Sequence, residues 1–232
     1  MLKGNIYYMR LRKKKNLDER IKACWDILVV YEQFGFYDLP EDKRCNLIDY
    51  KKVFGNNNPV HLEVGCGKGG FIAEMALLHP EINFLAVEKI SNVLICAMEN
   101  CKKLGIKNVK FLNCDASNLG YYINEDSISK LYLNFSCPWP KKKYANQRLT
   151  NARFLKIYQK LLTTDGEILQ KTDSPLMFEY SVEQLSQFGF GLFDVSCDLH
   201  NSKIENEVLT EYEKYFSGIG KPIYHIGARL NK

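Results

Sequence analysis

From residue 60 onward, short apolar runs alternate with segments of helical periodicity. An apolar run between turn residues predicts a buried strand, and apolar residues that recur every three or four positions predict a helix. The predicted strands are 60–65, 82–88, 109–114, 128–136, 167–171, 190–198 and 222–230. The predicted helices are 69–79, 91–104, 150–162, 175–187 and 204–217. This alternation predicts an α/β fold, in which helices cover both faces of one mostly parallel sheet.

The seven predicted strands form a single sheet, and we expect one of the late strands to add an antiparallel edge. Residues 1–50 are polar and mixed, and we expect them to form a basic arm with a helix that is partly mobile. Residues 51–232 then form a single domain, which is long enough to bury a core without disulfide bonds.

Composition narrows the class of protein further. Hydrophobic residues make up 46% and charged residues 25% of the chain, which excludes disordered and fibrous proteins. No apolar run approaches about 18 residues and no signal peptide is visible, so we expect no membrane segment. The eight cysteines form no CxxC pair, which favours free thiols in the cytoplasm over disulfides or a zinc site. The sequence leaves open whether the protein is a monomer or a homodimer.

Positive charge is concentrated in two segments. Residues 10–22 carry a net charge of +5, and residues 137–160 carry +7 with no acidic residue. Because the whole chain carries +5, the rest of it sums to −7. Such a distribution favours a polyanionic partner at the two segments, and a solvated basic face is the alternative.

The most informative motif is the glycine-rich segment 63–70, which follows a predicted strand and opens a predicted helix. Glycines allow a sharp turn and a close approach of a ligand to the backbone. A GxGxxG pattern at Gly65, Gly67 and Gly70 keeps a nicotinamide dinucleotide open, as does a purely structural turn. Glu63, however, would repel a pyrophosphate and attract an ammonium group. The ExGxGxG pattern resembles that of S-adenosylmethionine-binding methyltransferases.

Two further carboxylates lie at the ends of predicted strands. Glu88 ends the second strand, where it can accept hydrogen bonds from both hydroxyls of a ribose in either class of cofactor. Asp115 follows the third strand, where it can bind the exocyclic amine of adenine or cap the next helix. Because the carboxyl ends of parallel strands meet at one edge of a sheet, we expect Glu63, Glu88 and Asp115 to face one crevice.

An unusual loop, residues 133–143, follows the fourth strand. Two prolines stiffen it, and Trp139 between them is placed to stack on a base or to cap the core. The three lysines 141–143 can hold phosphates. An aromatic residue beside a basic cluster suits a nucleotide substrate, and a rigid loop with solvated lysines is the alternative.

Several segments together resemble the bacterial tRNA (guanine-N7)-methyltransferases over about residues 9–230. The matching segments are Met9–Arg12, Phe54–Pro59, Leu62–Gly69, Tyr132–Lys142, Lys171–Asp173, Asp198–Asn201 and Thr210–Glu213. The last four are the most specific. The resemblance implies a Rossmann-like class I methyltransferase fold and a single catalytic domain. It also implies that S-adenosylmethionine is the cofactor and that the substrate is a guanosine in the variable loop of tRNA.

The resemblance also implies roles for individual residues. The implied cofactor-binding residues are Glu63, Gly65, Gly67, Glu88, Asp115 and Cys137. The implied substrate-binding residues are Lys141, Asp173, Thr210, Glu211, Tyr212 and Glu213. Asp173 follows the fifth strand and is equally suited to capping the next helix. The assignment of Thr210 to Glu213 depends on the resemblance alone.

Cys137 is the main departure from the family pattern, which has the proposed catalytic Asp at this position. A second departure is Tyr144, where His is common. The lysines that follow Cys137 are candidates for lowering the pKa of its thiol. Three alternatives therefore accompany the N7-methylation hypothesis: a different RNA methyltransferase with Cys137 as nucleophile, a tRNA-binding relative without activity, and a nicotinamide dehydrogenase.

Overall fold

The computed structural model describes residues 14–32 and 47–230 of the chain. The described helices are α1 (Leu17–Lys22), α2 (Tyr50–Phe54), α3 (Gly70–Leu78), α4 (Ser91–Lys103), α5 (Ala152–Leu161), α6 (Pro175–Gln187) and α7 (Glu211–Gly218). The strands are β1 (Leu28–Tyr31), β2 (Val60–Val64), β3 (Asn83–Val87), β4 (Val109–Asn113), β5 (Ile128–Asn134), β6 (Leu162–Thr172), β7 (Phe190–Ser196) and β8 (Tyr224–Leu230). The motif Met9–Arg12 and the start of the basic segment 10–22 lie outside the described residues.

The strands form one sheet in the order β1-β4-β3-β2-β5-β6-β8-β7. The pairs from β1 to β6 are parallel, whereas β8 runs antiparallel to both of its neighbours. The predicted α/β class and mostly parallel sheet are therefore confirmed. Because β3 and β5 flank β2 on opposite sides, the chain order reverses there, and a crevice opens at the carboxyl ends of the strands.

The sheet differs from the prediction in two details. Among the described residues it has eight strands, because β1 pairs with β4 and extends the sheet. Residues assigned to an arm thus contribute a strand, although the division of the chain at residue 50 stays a prediction. The antiparallel strand β8 lies one position inside the edge strand β7.

The last predicted helix, 204–217, begins later than its sequence pattern indicates. It starts at Glu211, where Thr210 and Glu213 form a capping box. The preceding residues are irregular because Lys171 on β6 donates hydrogen bonds to the side chain of Asn206 and to the carbonyl oxygen of Val208. These contacts keep that segment from continuing the helix.

One apolar layer packs on each face of the sheet. Helices α1, α3 and α4 pack on one face through residues that include Ile21, Ile72 and Met98. Helices α5 and α6 pack on the other face through residues that include Leu155 and Leu185. Every residue of β2 and β3 is buried, as expected for central strands of a parallel sheet. No helix within the described ranges has the length and apolar character needed to cross a membrane.

Candidate active site

A cavity of about 440 Å³ lies at the carboxyl ends of β2, β3, β4 and β5. Nine of the residues that we predicted as site residues from the sequence line this cavity. They are Glu63, Gly65, Gly67, Glu88, Asp115, Cys137, Thr210, Glu211 and Tyr212. The fold thus brings the predicted cofactor residues and part of the predicted substrate residues into one cavity.

The glycine-rich turn between β2 and α3 forms the floor of the cavity. The amides of Gly65 and Cys66 donate to the carbonyl oxygen of Val87, at 2.8 and 3.0 Å, and tie the turn to β3. Gly69 has a φ of 77°, and a Cβ there would lie 2.5 Å from the Cβ of Ala97 on α4. Only glycine therefore allows both this backbone conformation and the close packing of α3 against α4.

Glu63 is buried at the inner end of the cavity. Its Oε1 accepts a hydrogen bond of 3.1 Å from Asn134 Nδ2, while its Oε2 is buried with no hydrogen-bond partner among the described residues. Burial, with a smaller contribution from the nearby Glu88, raises the pKa of Glu63 to about 7, although the hydrogen bond from Asn134 acts in the other direction. A buried carboxylate oxygen without a donor is costly, so it favours a ligand that brings a cationic donor.

Glu88 and Asp115 lie at the ends of the next two strands. Glu88 Oε1 accepts from the amide of Ile90 at 2.9 Å, and burial raises the pKa of Glu88. Asp115 Oδ1 accepts from the amide and hydroxyl of Ser117, at 2.9 and 2.8 Å, and caps a short 3₁₀ turn. Of the two predicted roles for Asp115, capping the next helix and binding the adenine amine, the cap is observed. Asp115 also lines the cavity, so the adenine role stays a prediction.

The loop after β5 closes the cavity over Cys137. Phe135 and Trp139 adopt positive φ values of 49° and 42°. The buried Arg148 holds this conformation, because its guanidinium donates to the carbonyl oxygens of Pro138 and Trp139 at 2.9 and 3.0 Å. Trp139 also lines the cavity.

The start of α7 forms the opposite side of the cavity, the α7 wall, which consists of Thr210, Glu211 and Tyr212. A Cβ at Gly70 would lie 3.3 Å from Glu211 Oε1, so α7 begins directly over the start of α3. Tyr212 is 61% exposed, and its ring stacks on Phe135 with the centroids 6.0 Å apart. The α7 wall thus places an exposed aromatic ring beside the loop that carries Cys137.

Three predicted substrate residues lie outside the cavity. Lys141 is exposed and precedes a 3₁₀ turn at 142–147. Asp173 pairs with Lys221 at 3.5 Å. Glu213 is fully buried, and its carboxylate contacts Lys171 and His200. Their proposed contact with a substrate stays a prediction.

Comparison with known proteins decides between the remaining classes. A family model described as "Putative methyltransferase" matches residues 57–226. The tRNA (guanine-N(7)-)-methyltransferase of Geobacillus kaustophilus is 43% identical over 95% of this chain and 96% of its own length. The enzyme of the same name from Bacillus subtilis is 45% identical over 93% of this chain and 96% of its own. The chain belongs to the tRNA (guanine-N7)-methyltransferase family.

Membership in this family confirms the resemblance drawn from the sequence motifs and excludes the dehydrogenase alternative. A solved structure of an S-adenosylmethionine-dependent methyltransferase from Aquifex aeolicus matches with a TM-score of 0.53. It is 15% identical and covers 83% of this chain and 95% of that chain, so it supports the fold alone. As a member of the family, the protein is an S-adenosylmethionine-dependent methyltransferase. The free Oε2 of Glu63, next to a backbone that a ligand can approach closely, fits this cofactor.

The structure corrects the expectation that nearby lysines lower the pKa of Cys137. Lys141, Lys142 and Lys143 are exposed, and burial raises the pKa of the Cys137 thiol. A backbone hydrogen bond at Trp139 and the charge of Lys89 act in the other direction but do not outweigh burial. This methyltransferase therefore carries a neutral thiol where its family pattern has a carboxylate.

Sequence reasoning missed two residues that support the site. Asn134 orients Glu63, and Arg148 fixes the loop around Cys137. Asn134 stands within the segment that carries the family resemblance, so its position at the end of β5 was a usable signal. Arg148 was counted only as one charge in a basic segment, because no sequence pattern reveals that a guanidinium will be buried against two carbonyl groups.

Proposed function

We propose that this methyltransferase transfers a methyl group from S-adenosylmethionine to N7 of a guanosine in the variable loop of tRNA. The observation that carries the proposal is the match to enzymes of that name at 43 and 45% identity over 95 and 93% of the chain. Coverage of this extent includes both the three carboxylates of the cavity, Glu63, Glu88 and Asp115, and the α7 wall.

The chemistry of the cavity supports a specific placement of the cofactor. Glu63 binds the ammonium of the amino-acid end, because its free buried oxygen needs a cationic donor. The backbone at Gly65 and Gly67 allows close approach. Glu88 accepts hydrogen bonds from the ribose hydroxyls, and Asp115 accepts one from the adenine amine. Along the sheet from β2 to β4, the order Glu63, Glu88 and Asp115 matches the order of the ammonium, ribose and adenine in the cofactor.

The reaction needs little acid–base chemistry from the protein. When bound, S-adenosylmethionine supplies a methyl group on a positive sulfonium, which the in-plane lone pair of guanine N7 can take without a general base. The task of the chain is therefore to align the reactants and exclude water. The α7 wall and the loop around Cys137 orient the base, and the neutral Cys137 serves as a weak polar contact.

The substrate side extends from the cavity to the exposed lysines. Tyr212 offers an exposed ring for stacking on the target base. Lys141 and Asp173 lie outside the cavity on separate elements, and we assign them to contacts with the RNA beyond the target base. The basic segments hold the RNA backbone. Glu213 contributes through the α7 wall that it supports. Because the proposed substrate is tRNA, we expect the protein in the cytoplasm, as a monomer or a homodimer.

The test of the function is methyl transfer from labelled S-adenosylmethionine to unmodified tRNA, followed by mapping of the modified base. We expect N7-methylguanosine at a single site. A matched tRNA with 7-deazaguanosine at that site offers no N7 and should accept no label. Transfer to a pyrimidine, or to the deaza substrate, would contradict the proposal, as would tRNA binding without any transfer.

Cofactor affinity is expected to depend on the ionisation of Glu63. With a pKa of about 7 in the free protein, Glu63 is about 90% ionised near pH 8 and about 9% ionised near pH 6. Since the ammonium binds the ionised form, the affinity for S-adenosylhomocysteine should fall about tenfold as the pH drops across this range. Calorimetric titration with S-adenosylhomocysteine at several pH values measures this change in affinity.

The control for this pH dependence is Glu63→Gln, which keeps the size of the side chain but does not titrate. It should bind the ligand weakly and with nearly the same affinity at both pH values. A tenfold pH dependence that persists in Glu63→Gln would assign the titration to another group.

Binding of tRNA is expected to depend strongly on salt through Lys141, Lys142 and Lys143. Replacing all three by glutamine should reduce the slope of log affinity against log salt by about 2 to 3, because each phosphate contact contributes about 0.7 to 0.9. Filter binding or fluorescence anisotropy at several salt concentrations measures the slope.

The matched control for the lysine variant uses Lys51 and Lys52, which are exposed on α2. Tyr50 of that helix contacts Ser127 at the amino end of β5, so α2 lies at the sheet edge opposite the cavity. Replacing these two lysines by glutamine should leave the slope unchanged. Equal slopes for both variants would place the RNA elsewhere.

A further inference from the structure

Glu32 stands at the carboxyl end of the additional strand β1, next to the strand end that carries Asp115. Strand β1 pairs in parallel with β4, and Tyr31 lies opposite Asn113 in the register. The amide of Glu32 continues this pairing by donating to the carbonyl oxygen of Asn113 at 2.9 Å. The backbone thus holds Glu32 beside the segment that leaves β4.

The carboxylate of Glu32 accepts hydrogen bonds from three residues of that segment. Its Oε2 accepts from the amide of Asp115 at 3.2 Å. The side-chain amide of Asn118 donates to both oxygens, at 3.0 and 3.2 Å, and the Tyr122 hydroxyl donates to Oε1 at 2.7 Å. One carboxylate therefore holds both ends of the 3₁₀ turn that Asp115 caps.

These contacts set the direction of the Asp115 side chain. Asp115 Oδ1 is occupied by Ser117, and its other oxygen, Oδ2, lies 3.7 Å from Lys89 Nζ. Because Oδ1 is committed to the cap, the orientation of the backbone at residue 115 decides where Oδ2 points. Four hydrogen bonds from three residues of the turn to Glu32 hold that backbone in place.

We propose that Glu32 is a positioning residue for the adenine end of the cofactor, and that it acts through Asp115. The inference rests on the proposed placement of the adenine amine at Asp115. Glu32 does not line the cavity, so it acts without touching the cofactor. This positioning role depends on strand β1, which the sequence pattern had assigned to an N-terminal arm.

The test compares two ligands by calorimetry: S-adenosylhomocysteine and its analogue in which purine replaces adenine, so that the exocyclic amine is missing. Glu32→Ala should weaken S-adenosylhomocysteine binding about tenfold. It should weaken binding of the purine analogue less than about twofold, because that analogue has no amine for Asp115 to bind. In steady-state assays the KM for S-adenosylmethionine should rise while kcat stays unchanged.

Two further variants show whether the effect passes through Asp115. Asp115→Ala should weaken S-adenosylhomocysteine binding, and adding Glu32→Ala to it should cause no further loss. Glu32→Gln keeps one acceptor oxygen and should show an intermediate loss, which serves as the readout if Glu32→Ala fails to fold.

The matched control is Glu99→Gln. Glu99 accepts two hydrogen bonds from Arg20 on α1, at 2.7 and 2.6 Å, so it also anchors the N-terminal segment. Among the described residues, its hydrogen bonds do not involve the turn that Asp115 caps. The affinity of the Glu99→Gln variant for both ligands should stay at the wild-type value.

Equal losses for both ligands in the Glu32 variants, or losses matched by Glu99→Gln, would overturn the positioning role in favour of general support of the fold. Unchanged affinity in the Glu32 variants, with a loss in Asp115→Ala, would overturn the inference alone. Unchanged affinity in Asp115→Ala would overturn the adenine placement itself.

Discussion

Replacing Glu213 by glutamine is expected to lower the free energy of unfolding by about 3–5 kcal/mol. The Glu213 side chain is 0% exposed, and its Oε2 lies 3.1 Å from the Nζ of Lys171, which is 12% exposed. Burial lowers the pKa of Lys171, and the charge of Glu213 raises it. Without that charge, the ammonium of Lys171 is left buried and unpaired, which is the costly state of a broken ion pair.

The other carboxylate oxygen of Glu213 adds to this cost. Oε1 accepts hydrogen bonds from His200 Nε2, at 3.0 Å, and from the side-chain amide of Asn206. Glu213 also completes the capping box with Thr210 at the start of α7. The α7 wall therefore depends on a residue that the sequence assigned to substrate binding and that the fold buries.

Urea unfolding of the wild type and Glu213→Gln measures the loss. Adding Lys171→Met should recover part of it, because this removes the unpaired ammonium. The matched control is Glu211→Gln, two residues away on the exposed side of α7, which should change the stability by less than about 0.5 kcal/mol. A loss below about 1 kcal/mol for Glu213→Gln would contradict the buried ion-pair assignment.

Replacing Cys137 by aspartate is expected to raise methyl transfer to tRNA about ten- to a hundredfold. The family pattern has a carboxylate here, and a hydrogen bond to a charged group contributes about 1.5–3 kcal/mol. The ordinary pKa of a cysteine thiol is about 8.5, and burial raises that of Cys137 further. The wild-type thiol is therefore neutral and supplies only a weak polar contact. Single-turnover assays at saturating cofactor compare the variants.

Cys137→Ser should stay close to the wild type, since the proposed reaction uses no covalent adduct. Cys197→Ser, at an exposed cysteine that does not line the cavity, controls for cysteine removal. A nucleophilic Cys137 predicts that both the Asp and Ser variants lose turnover with binding intact. An inactive wild type that Cys137→Asp restores would identify a relative that kept its fold and lost its activity.

The positions of seven strands along the chain, the mostly parallel sheet and the meeting of three carboxylates at one cavity were predictable from the sequence. Buried parallel strands are continuous apolar runs, so β2 and β3 are visible as such. Glu63 lies near the end of the first predicted strand, Glu88 ends the second and Asp115 follows the third, and parallel strands bring their carboxyl ends to one edge. For these residues, position along the chain determines position in space.

Tertiary contacts decided the remainder. Four residues, Leu28–Tyr31, form a strand because β4 offers an open edge, and this contact places Glu32 beside Asp115. Within the segment 210–213, which the sequence assigned to substrate binding, Tyr212 is exposed and Glu213 is fully buried. Glu213 is buried because it pairs with Lys171, which lies beneath α7. Burial raises the pKa of the Cys137 thiol, whereas the lysines that follow it in the sequence were expected to lower this pKa. Each outcome depends on which groups lose contact with water, and that depends on residues far apart in the chain.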